Sequence, residues 1–189
     1  MDMTNLHFHG LEISPNAPQD DVLTMLAMPG QSLQYTVRIP AGHPPGLFWY
    51  HTHPHGESHR QVLDGMSGAI VIEGMDRYVP EVGKIPEQIF TLRGLSLSEN
   101  PHAASLLQRV DATTKTCGVQ TEVPEEIFTV NGVVRPRVAI AGGEREFWRI
   151  VNATADRYVD LQVDGQPLEI VALDGIPEDK GMMAKILFE

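Results

Sequence analysis

The sequence predicts an all-β protein built from short strands. Its 17 glycines and 14 prolines are spaced as turn punctuation along 189 residues, with short β-branched and aromatic runs between them. Residues 32–39 (SLQYTVRI) alternate apolar and polar side chains with period two, which is the pattern of a strand with one buried face. In the second half, short predicted strands follow one another closely between turns, which is typical of a β-sandwich.

The predicted strands form two series on either side of a segment rich in proline and glycine. The first series covers residues 6–13, 32–39, 47–53 and 68–73. A boundary is expected after Gly74, with residues 75–86 as a linker, so the predicted domains are 1–74 and 87–189. The second series covers residues 88–95, 126–130, 137–140, 145–152, 158–163 and 168–173, with turns at Asn131-Gly132, Gly142-Gly143 and Asp164-Gly165. A short helix is expected over residues 102–110.

Composition argues against several classes of partner. The formal net charge is −11 and the isoelectric point is near 5.1, whereas a nucleic-acid or anionic-membrane partner requires a basic footprint. No apolar run is long enough to span a bilayer, and no secretory signal follows Met1. Cys117 is the single cysteine, so no internal disulfide is possible.

Histidines are concentrated in two short motifs. HFHG contains His7 and His9, and WYHTHPHGESH contains His51, His53, His55 and His59. On a strand, residues i and i+2 point to the same face, about 6–7 Å apart along the strand. Two His-x-His pairs on neighbouring strands therefore predict four imidazoles that face one space. A histidine-only set favours copper or zinc, and composition does not choose between them. The alternative is that these are ordinary surface or core histidines without metal.

The same motifs resemble the first domain of a multicopper oxidase. HFHG, WYHTHPHG and the segment RQVLDGMSGAIVIEG are similar to the bacterial type, which includes copper-efflux oxidases and laccase-like enzymes. In the second half, FTVNGVVRP, REFWRIVN and IVALDG resemble the middle domain of the three-domain members. The resemblance implies tandem cupredoxin-like Greek-key β-sandwiches, both expected to be incomplete here.

The resemblance also implies roles for individual residues. His7 matches a type 2 copper ligand, and His9, His51 and His53 match type 3 ligands of the trinuclear cluster that reduces dioxygen to water. Asp20 is the best match to an acidic residue that helps deliver protons to that cluster, with Asp21 a close second. His55 is expected to support the ligands without binding copper, and Trp49 and Tyr50 to pack beside the ligand strand.

Other parts of the family pattern are missing from this sequence. The trinuclear cluster needs eight histidines, and the type 1 copper site needs a cysteine between histidines, whereas Cys117 lies in TKTCGVQ. The expected cofactor is therefore copper of types 2 and 3 only. We expect a fragment, a truncated gene product or a chain completed by a partner, either a missing C-terminal domain or a second copy. The implied co-substrates are dioxygen and a small reducing substrate, and the implied location is periplasmic or extracellular.

Three other hypotheses stand beside a laccase-like oxidase. A non-catalytic copper-binding module, or a copper-resistance protein without a type 1 site, fits the missing cysteine motif. A scaffold that has lost copper fits less well, because four ligands are retained. A two-domain oxidase is disfavoured because residues 157–165 (RYVDLQVDG) contain no histidine and none follows His102. His43, His59 and His102 are expected to face solvent.

Overall fold

The structure, a computed structural model, describes residues 3–96 and 126–178. Within these residues it is all-β apart from one short helix and two 3-10 turns, as predicted. The strands are β1 (His7–His9), β2 (Gly46–His51), β3 (Ser67–Ile72), β4 (Glu87–Ser96), β5 (Glu126–Val130), β6 (Phe147–Asn152), β7 (Ala172–Leu173) and β8 (Ile176–Pro177). The helix α1 covers Ser58–Leu63, and the 3-10 turns cover Met75–Arg77 and Val82–Lys84.

The first sheet has the order β1-β2-β3 and is antiparallel throughout. Its register places His7 opposite His51 and His9 opposite Trp49. Alternation along β2 sends Phe48 and Tyr50 to the other face, where Phe48 is buried. Gly68 on β3 leaves room for the Tyr50 ring, because a β-carbon at this position would lie 2.5 Å from it.

Helix α1 fills the connection between β2 and β3. Arg60 binds the carboxylates of Glu57 and Asp64, one turn before and one turn after it. These ion pairs stabilise the short helix. Gln61 is buried and ties the helix to the N-terminal segment, donating to the Met3 carbonyl and accepting from the Thr4 hydroxyl. The helix therefore holds the start of the chain beside the first sheet.

The second sheet has the order β5-β4-β6, with β4 antiparallel to β5 and parallel to β6. Its core is a set of apolar side chains that are each less than a tenth exposed: Phe90, Leu92, Leu95, Ile127, Phe147 and Val151. Burying each of them contributes about 1.5–3 kcal/mol. The guanidinium of Arg93, on β4, reaches the hydroxyl and the carbonyl of Ser67 on β3, so the two sheets are in direct contact.

Several predicted strands are absent or shortened. Residues 32–39, 137–140 and 158–163 form no strand, the first strand is only His7–His9, and of residues 168–173 only the last two are paired. The alternation in residues 32–39 predicts one face with Leu33, Tyr35, Val37 and Ile39, of which the first three are half-buried and Ile39 is exposed. A strand also needs a ladder partner, and the backbone amide of Thr36 instead reaches the Pro18 carbonyl, 2.8 Å away. The predicted helix 102–110 lies outside the described residues.

Candidate metal centre

Four imidazoles meet on one face of the first sheet. The ring of His7 lies 5.4 Å from that of His9, 5.2 Å from that of His51 and 5.2 Å from that of His53, measured between centroids. The antiparallel register produces this arrangement, because it sets His7 directly opposite His51 and lets the i+2 neighbour of each follow on the same side. The structure thus brings together the four histidines named as metal ligands.

Three of the four rings approach closely enough to share an ion. One ring nitrogen from each of His7, His9 and His51 lies within 4.8 Å of the other two. Two nitrogens bound to one ion at about 2 Å each are at most about 4 Å apart. Small side-chain rotations would therefore bring the three nitrogens to the spacing of ligands on one ion.

Hydrogen bonds fix the tautomers of two ligands. His7 Nδ1 lies 2.9 Å from Asp20 Oδ2, and His51 Nδ1 lies 2.9 Å from the Thr52 carbonyl oxygen. Carboxylate and carbonyl oxygens only accept, so Nδ1 carries the proton in both rings, and in neutral histidine the lone pair is on Nε2. Such a partner on the outer nitrogen is the usual support for a metal-binding histidine.

His53 provides a further test of whether the site fits a metal. Its Nδ1 is buried and has no hydrogen-bond partner. An unpaired buried nitrogen costs free energy, about 1–3 kcal/mol, unless something else occupies it. A metal ion in the cluster would do so, and the all-imidazole donor set suits copper.

The surroundings favour the neutral form of two of the four rings. Burial lowers the pKa of His51 to about 4, and burial together with the neighbouring His7 lowers the pKa of His9. Neutral imidazole is the form that binds a metal, so these two rings retain a lone pair at pH values where an isolated histidine is partly protonated. The Trp49 ring stacks on His51 at 4.2 Å, as expected for a residue packed beside the ligand strand.

Asp20 contacts the histidine cluster, whereas Asp21 does not. The carboxylate of Asp20 accepts from His7 and from the backbone amide of Phe8, 2.9 Å away, so it holds β1 as well as the ring. Asp21 instead accepts from Leu23 and Thr24 within its own exposed turn, and the Thr24 hydroxyl lowers the pKa of its carboxyl group.

The other histidines divide between surface and core. His55 and His59 are exposed, and His59 lies 3.8 Å from the Asp156 carboxylate. The prediction that His43 faces solvent is wrong, because it is buried against the Phe48 ring. Its Nδ1 donates to the Pro44 carbonyl and its Nε2 accepts from the Glu12 amide, which satisfies both nitrogens and leaves neither for a metal. His102 lies outside the described residues.

Sequence reasoning missed Asn5, which holds the second ligand motif in place. Asn5 is 3% exposed; its Oδ1 accepts from the His53 amide at 2.7 Å, and its Nδ2 donates to the Val22 carbonyl at 3.0 Å. The only available signal was a polar residue two positions before the first histidine, in TNLHFHG.

Comparison with known proteins agrees with this geometry. Two family models, each described as multicopper oxidase, match residues 1–77 and residues 48–187. The chain belongs to the multicopper oxidase family. Within the family it is 28% identical over 181 residues to the multicopper oxidase mco of Staphylococcus epidermidis, an alignment that covers 91% of this chain and 36% of that protein. It is also 28% identical over 185 residues to laccase-4 of Thanatephorus cucumeris, covering 92% and 33%.

A solved structure shows the same fold. The 2F4 variant of the McoA multicopper oxidase from Aquifex aeolicus superposes with a TM-score of 0.54 at 19% identity, covering 82% of this chain and 32% of that one. The cupredoxin-like fold class predicted from the motifs is thereby confirmed. The chain spans about a third of the length of the relatives it matches. No helix in residues 3–96 and 126–178 has the length and apolar character needed to cross a membrane.

Proposed function

We propose that this chain supplies the first-domain half of a trinuclear copper cluster in a laccase-like multicopper oxidase. The observation that carries the proposal is the convergence of four imidazoles on one sheet face, with the His53 nitrogen buried and unpaired. Family membership supplies the metal, since multicopper oxidases use copper.

In this proposal His7 binds type 2 copper, and His9, His51 and His53 bind type 3 copper. The support is the position of each residue in HFHG and WYHTHPHG, together with the Nδ1 contacts of His7 and His51, which leave Nε2 of each ring as the nitrogen with the lone pair. Copper held by these residues would supply the electron transfer by which dioxygen is reduced to water.

Asp20 has two tasks in the proposed reaction. It orients His7 through the Nδ1 contact, and it carries protons toward the cluster. Its side chain is 12% exposed and its carboxylate lies 2.9 Å from His7 Nδ1, so Asp20 lies between solvent and the cluster. Proton supply is needed because the reduction of dioxygen to water consumes protons.

For the whole protein we propose oxidation of phenolic or aromatic compounds or of metal ions, in the periplasm or outside the cell. The laccase names of the fungal relatives favour the phenolic class. The proposed domains are residues 1–74 and 87–189, joined by 75–86, and the second is copper-free. Four more histidines come from a further domain or a second copy of the chain, and the type 1 copper comes from a further domain, because a second copy also lacks a cysteine between histidines.

A second candidate function is a non-catalytic copper-binding module or copper-resistance protein. The observation that favours it is the absence of an HCH-type motif around Cys117, so electrons have no entry site on this chain. Both candidates require the same four ligands and differ only in whether dioxygen is consumed.

The test is copper binding and oxygen uptake by the copper-loaded chain, with an easily oxidised phenol as reductant. His51→Ala should lose copper while the fold is kept. His59→Ala is the matched control, because it removes an exposed imidazole on the neighbouring helix. Oxygen uptake that depends on His51 supports the oxidase, completed by a second copy. Copper binding without uptake indicates half a site, which belongs either to a longer oxidase of which this chain is the first part or to the non-catalytic module. Unchanged copper binding in His51→Ala overturns the ligand assignment.

A further inference from the structure

The second sheet contacts the first at Ser67, the residue of β3 that lies directly opposite His51 on β2. Side chains paired across an antiparallel ladder share one face of the sheet, so the Ser67 side chain lies on the histidine face. Ser67 and His51 are both less than a tenth exposed, whereas His9 is exposed. The contact from the second sheet therefore falls at the buried end of the face that carries the imidazoles.

The pairing of His51 with Ser67 is of the closer kind. The Thr52 amide donates to the Met66 carbonyl, 3.3 Å away. Hydrogen-bonded and non-hydrogen-bonded pairs alternate along an antiparallel ladder, so His51 and Ser67 form a non-hydrogen-bonded pair, with α-carbons about 4.5 Å apart. In such a pair the Ser67 carbonyl points away from β2, toward the outer edge of β3. Among the described residues β3 pairs with β2 alone, so this edge has no neighbouring strand.

Arg93, on β4, supplies the donors for this edge. Its Nε donates to Ser67 Oγ at 3.2 Å, and its Nη2 donates to the Ser67 carbonyl. The guanidinium carries its N–H groups in a rigid planar fork, so the two contacts together fix the side chain and the backbone of Ser67. Arg93 is itself held in the second sheet, where it pairs with the fully buried Thr129, whose hydroxyl donates to the Arg93 carbonyl at 3.4 Å.

A row of three residues on the histidine face is thus held at both ends. The register lines up His7, His51 and Ser67 across the three strands. At one end the Asp20 carboxylate accepts from His7, and at the other end Arg93 donates to Ser67. Strands fixed on both sides hold their imidazoles in place before an ion arrives, which reduces the ordering cost of binding.

We propose that Arg93 is a positioning residue for the copper site, through which the second sheet fixes the strands that carry the ligands. Arg93 acts through Ser67, which is paired with His51, and does not itself bind the ion. The inference rests on the proposed function, because it assumes that the histidine cluster binds copper. Its consequence is that copper affinity on the first sheet depends on a side chain of the second.

The test is a titration of the full chain with cupric ion against a competing chelator, at a temperature well below the Tm of each copper-free variant. Arg93→Met removes both contacts to Ser67 and keeps an unbranched side chain. Partners of metal ligands typically contribute 10- to 100-fold to affinity, and Arg93 acts one step further out, so a loss of about three- to tenfold is expected. Arg93→Lys should recover only part of this loss, because an ammonium group lacks the planar fork. Full affinity in Arg93→Met overturns the inference.

Arg145→Met is the matched control. It removes an exposed guanidinium that precedes β6 in the second region and pairs with the exposed Glu169. Exposed ion pairs contribute little, so both the copper affinity and the Tm of this variant should match those of the parent chain. An affinity loss as large in Arg145→Met as in Arg93→Met would show a general effect of charge and overturn the inference.

The electron paramagnetic resonance spectrum of the bound cupric ion distinguishes positioning from stability alone. The spectrum should change in Arg93→Met, because the imidazoles are held less firmly, and should match the parent spectrum in Arg145→Met. A lower Tm with parent-like affinity and spectrum would show that Arg93 only joins the two sheets, which overturns the inference.

Ser67→Ala tests the path through which Arg93 acts. It removes the hydroxyl contact and leaves the carbonyl contact, so its affinity loss should be smaller than that of Arg93→Met. In the Ser67→Ala background Arg93→Met should cost less affinity than in the parent chain, because part of the contact is already gone. Additive losses would contradict the path. If Arg93→Met does not fold, Ser67→Ala and Arg93→Lys carry the test, and full affinity in both overturns the inference.

His51→Ala in the same titration separates this inference from the proposed function. If His51→Ala binds copper as the parent chain does, the proposed function fails. If His51→Ala loses copper while Arg93→Met keeps full affinity, the cluster is a copper site and only the role of Arg93 is wrong.

Discussion

The two sheets of this chain are built alike and carry different chemistry. Each has three strands and a buried apolar face. The first sheet presents His7, His9 and His51 on its other face. In the described part of the second sheet no histidine occurs, and its exposed side chains include Ile89 and Phe128. Both sheets have three strands, so the candidate metal site depends on the choice of side chains on one face of the first sheet.

The same asparagine clamp occurs in both regions with different surroundings. Asn5 accepts from the His53 amide and donates to the Val22 carbonyl. Asn131 accepts from the Thr91 amide at 2.7 Å and donates to the Ile89 carbonyl at 2.8 Å. Asn5 is buried beside ligands, whereas Asn131 is exposed in a turn. The two clamps therefore differ in whether a candidate ligand, His53, is among the groups that the asparagine holds.

The largest effects are expected when Asn5 or Asn131 is replaced with alanine. The comparison separates holding the backbone from positioning His53. Asn5→Ala leaves two buried backbone groups unpaired, at a cost of about 2–4 kcal/mol in the free energy of unfolding. It should also weaken copper binding more than tenfold, because His53 loses its anchor. Asn131→Ala should cost about 1–2 kcal/mol, since water replaces the lost bonds, and leave copper affinity unchanged. Urea unfolding and copper titration measure the two effects, and equal copper affinity in both variants would contradict the anchoring role.

The stability of the first region should depend on pH through His51. His51 has a native pKa of about 4, below the value near 6.5 of an unfolded histidine. Between these values the unfolded chain binds the extra proton, so stability is lost as pH falls from about 6.5 toward 4, by at most about 1.4 kcal/mol per pH unit for this residue. Urea unfolding of the copper-free chain at pH 5 and pH 7 measures this loss of stability. His51→Gln should reduce the dependence; an unchanged slope would show that His51 is not buried as described.

The fold class and the grouping of histidines could be predicted from sequence because they depend on local periodicity. Period-two spacing puts His7 and His9 on one face, and likewise His51 and His53, before any contact is known. The strand predicted at 32–39 failed because alternation reports a half-buried face, while strand pairing depends on a partner elsewhere in the chain. His43 was misplaced for a related reason: its Nε2 accepts from the amide of Glu12, which is 31 residues away, and its ring packs on Phe48.

The contribution of Asn5 had no decisive sequence signal. Asn5 acts through a hydrogen bond to the His53 amide that spans 48 residues. The turn at Asp174-Gly175 was not among the predicted turns, although the Asp-Gly pair is typical of a two-residue hairpin. Local patterns therefore located the candidate ligands, while tertiary packing determined which residues support them.

The most direct test of the copper site uses the two tryptophans, one in each region. Trp49 stacks on His51, whereas Trp148 packs on Phe90 and donates to Glu146 in the second sheet. Cupric ion quenches indole fluorescence at short range, so single-tryptophan variants report where the ion binds. Trp148→Phe, which leaves Trp49, should be strongly quenched by stoichiometric copper, and Trp49→Phe should be quenched little. Equal quenching of both variants, or quenching of Trp148 alone, would contradict a copper site on the histidine face.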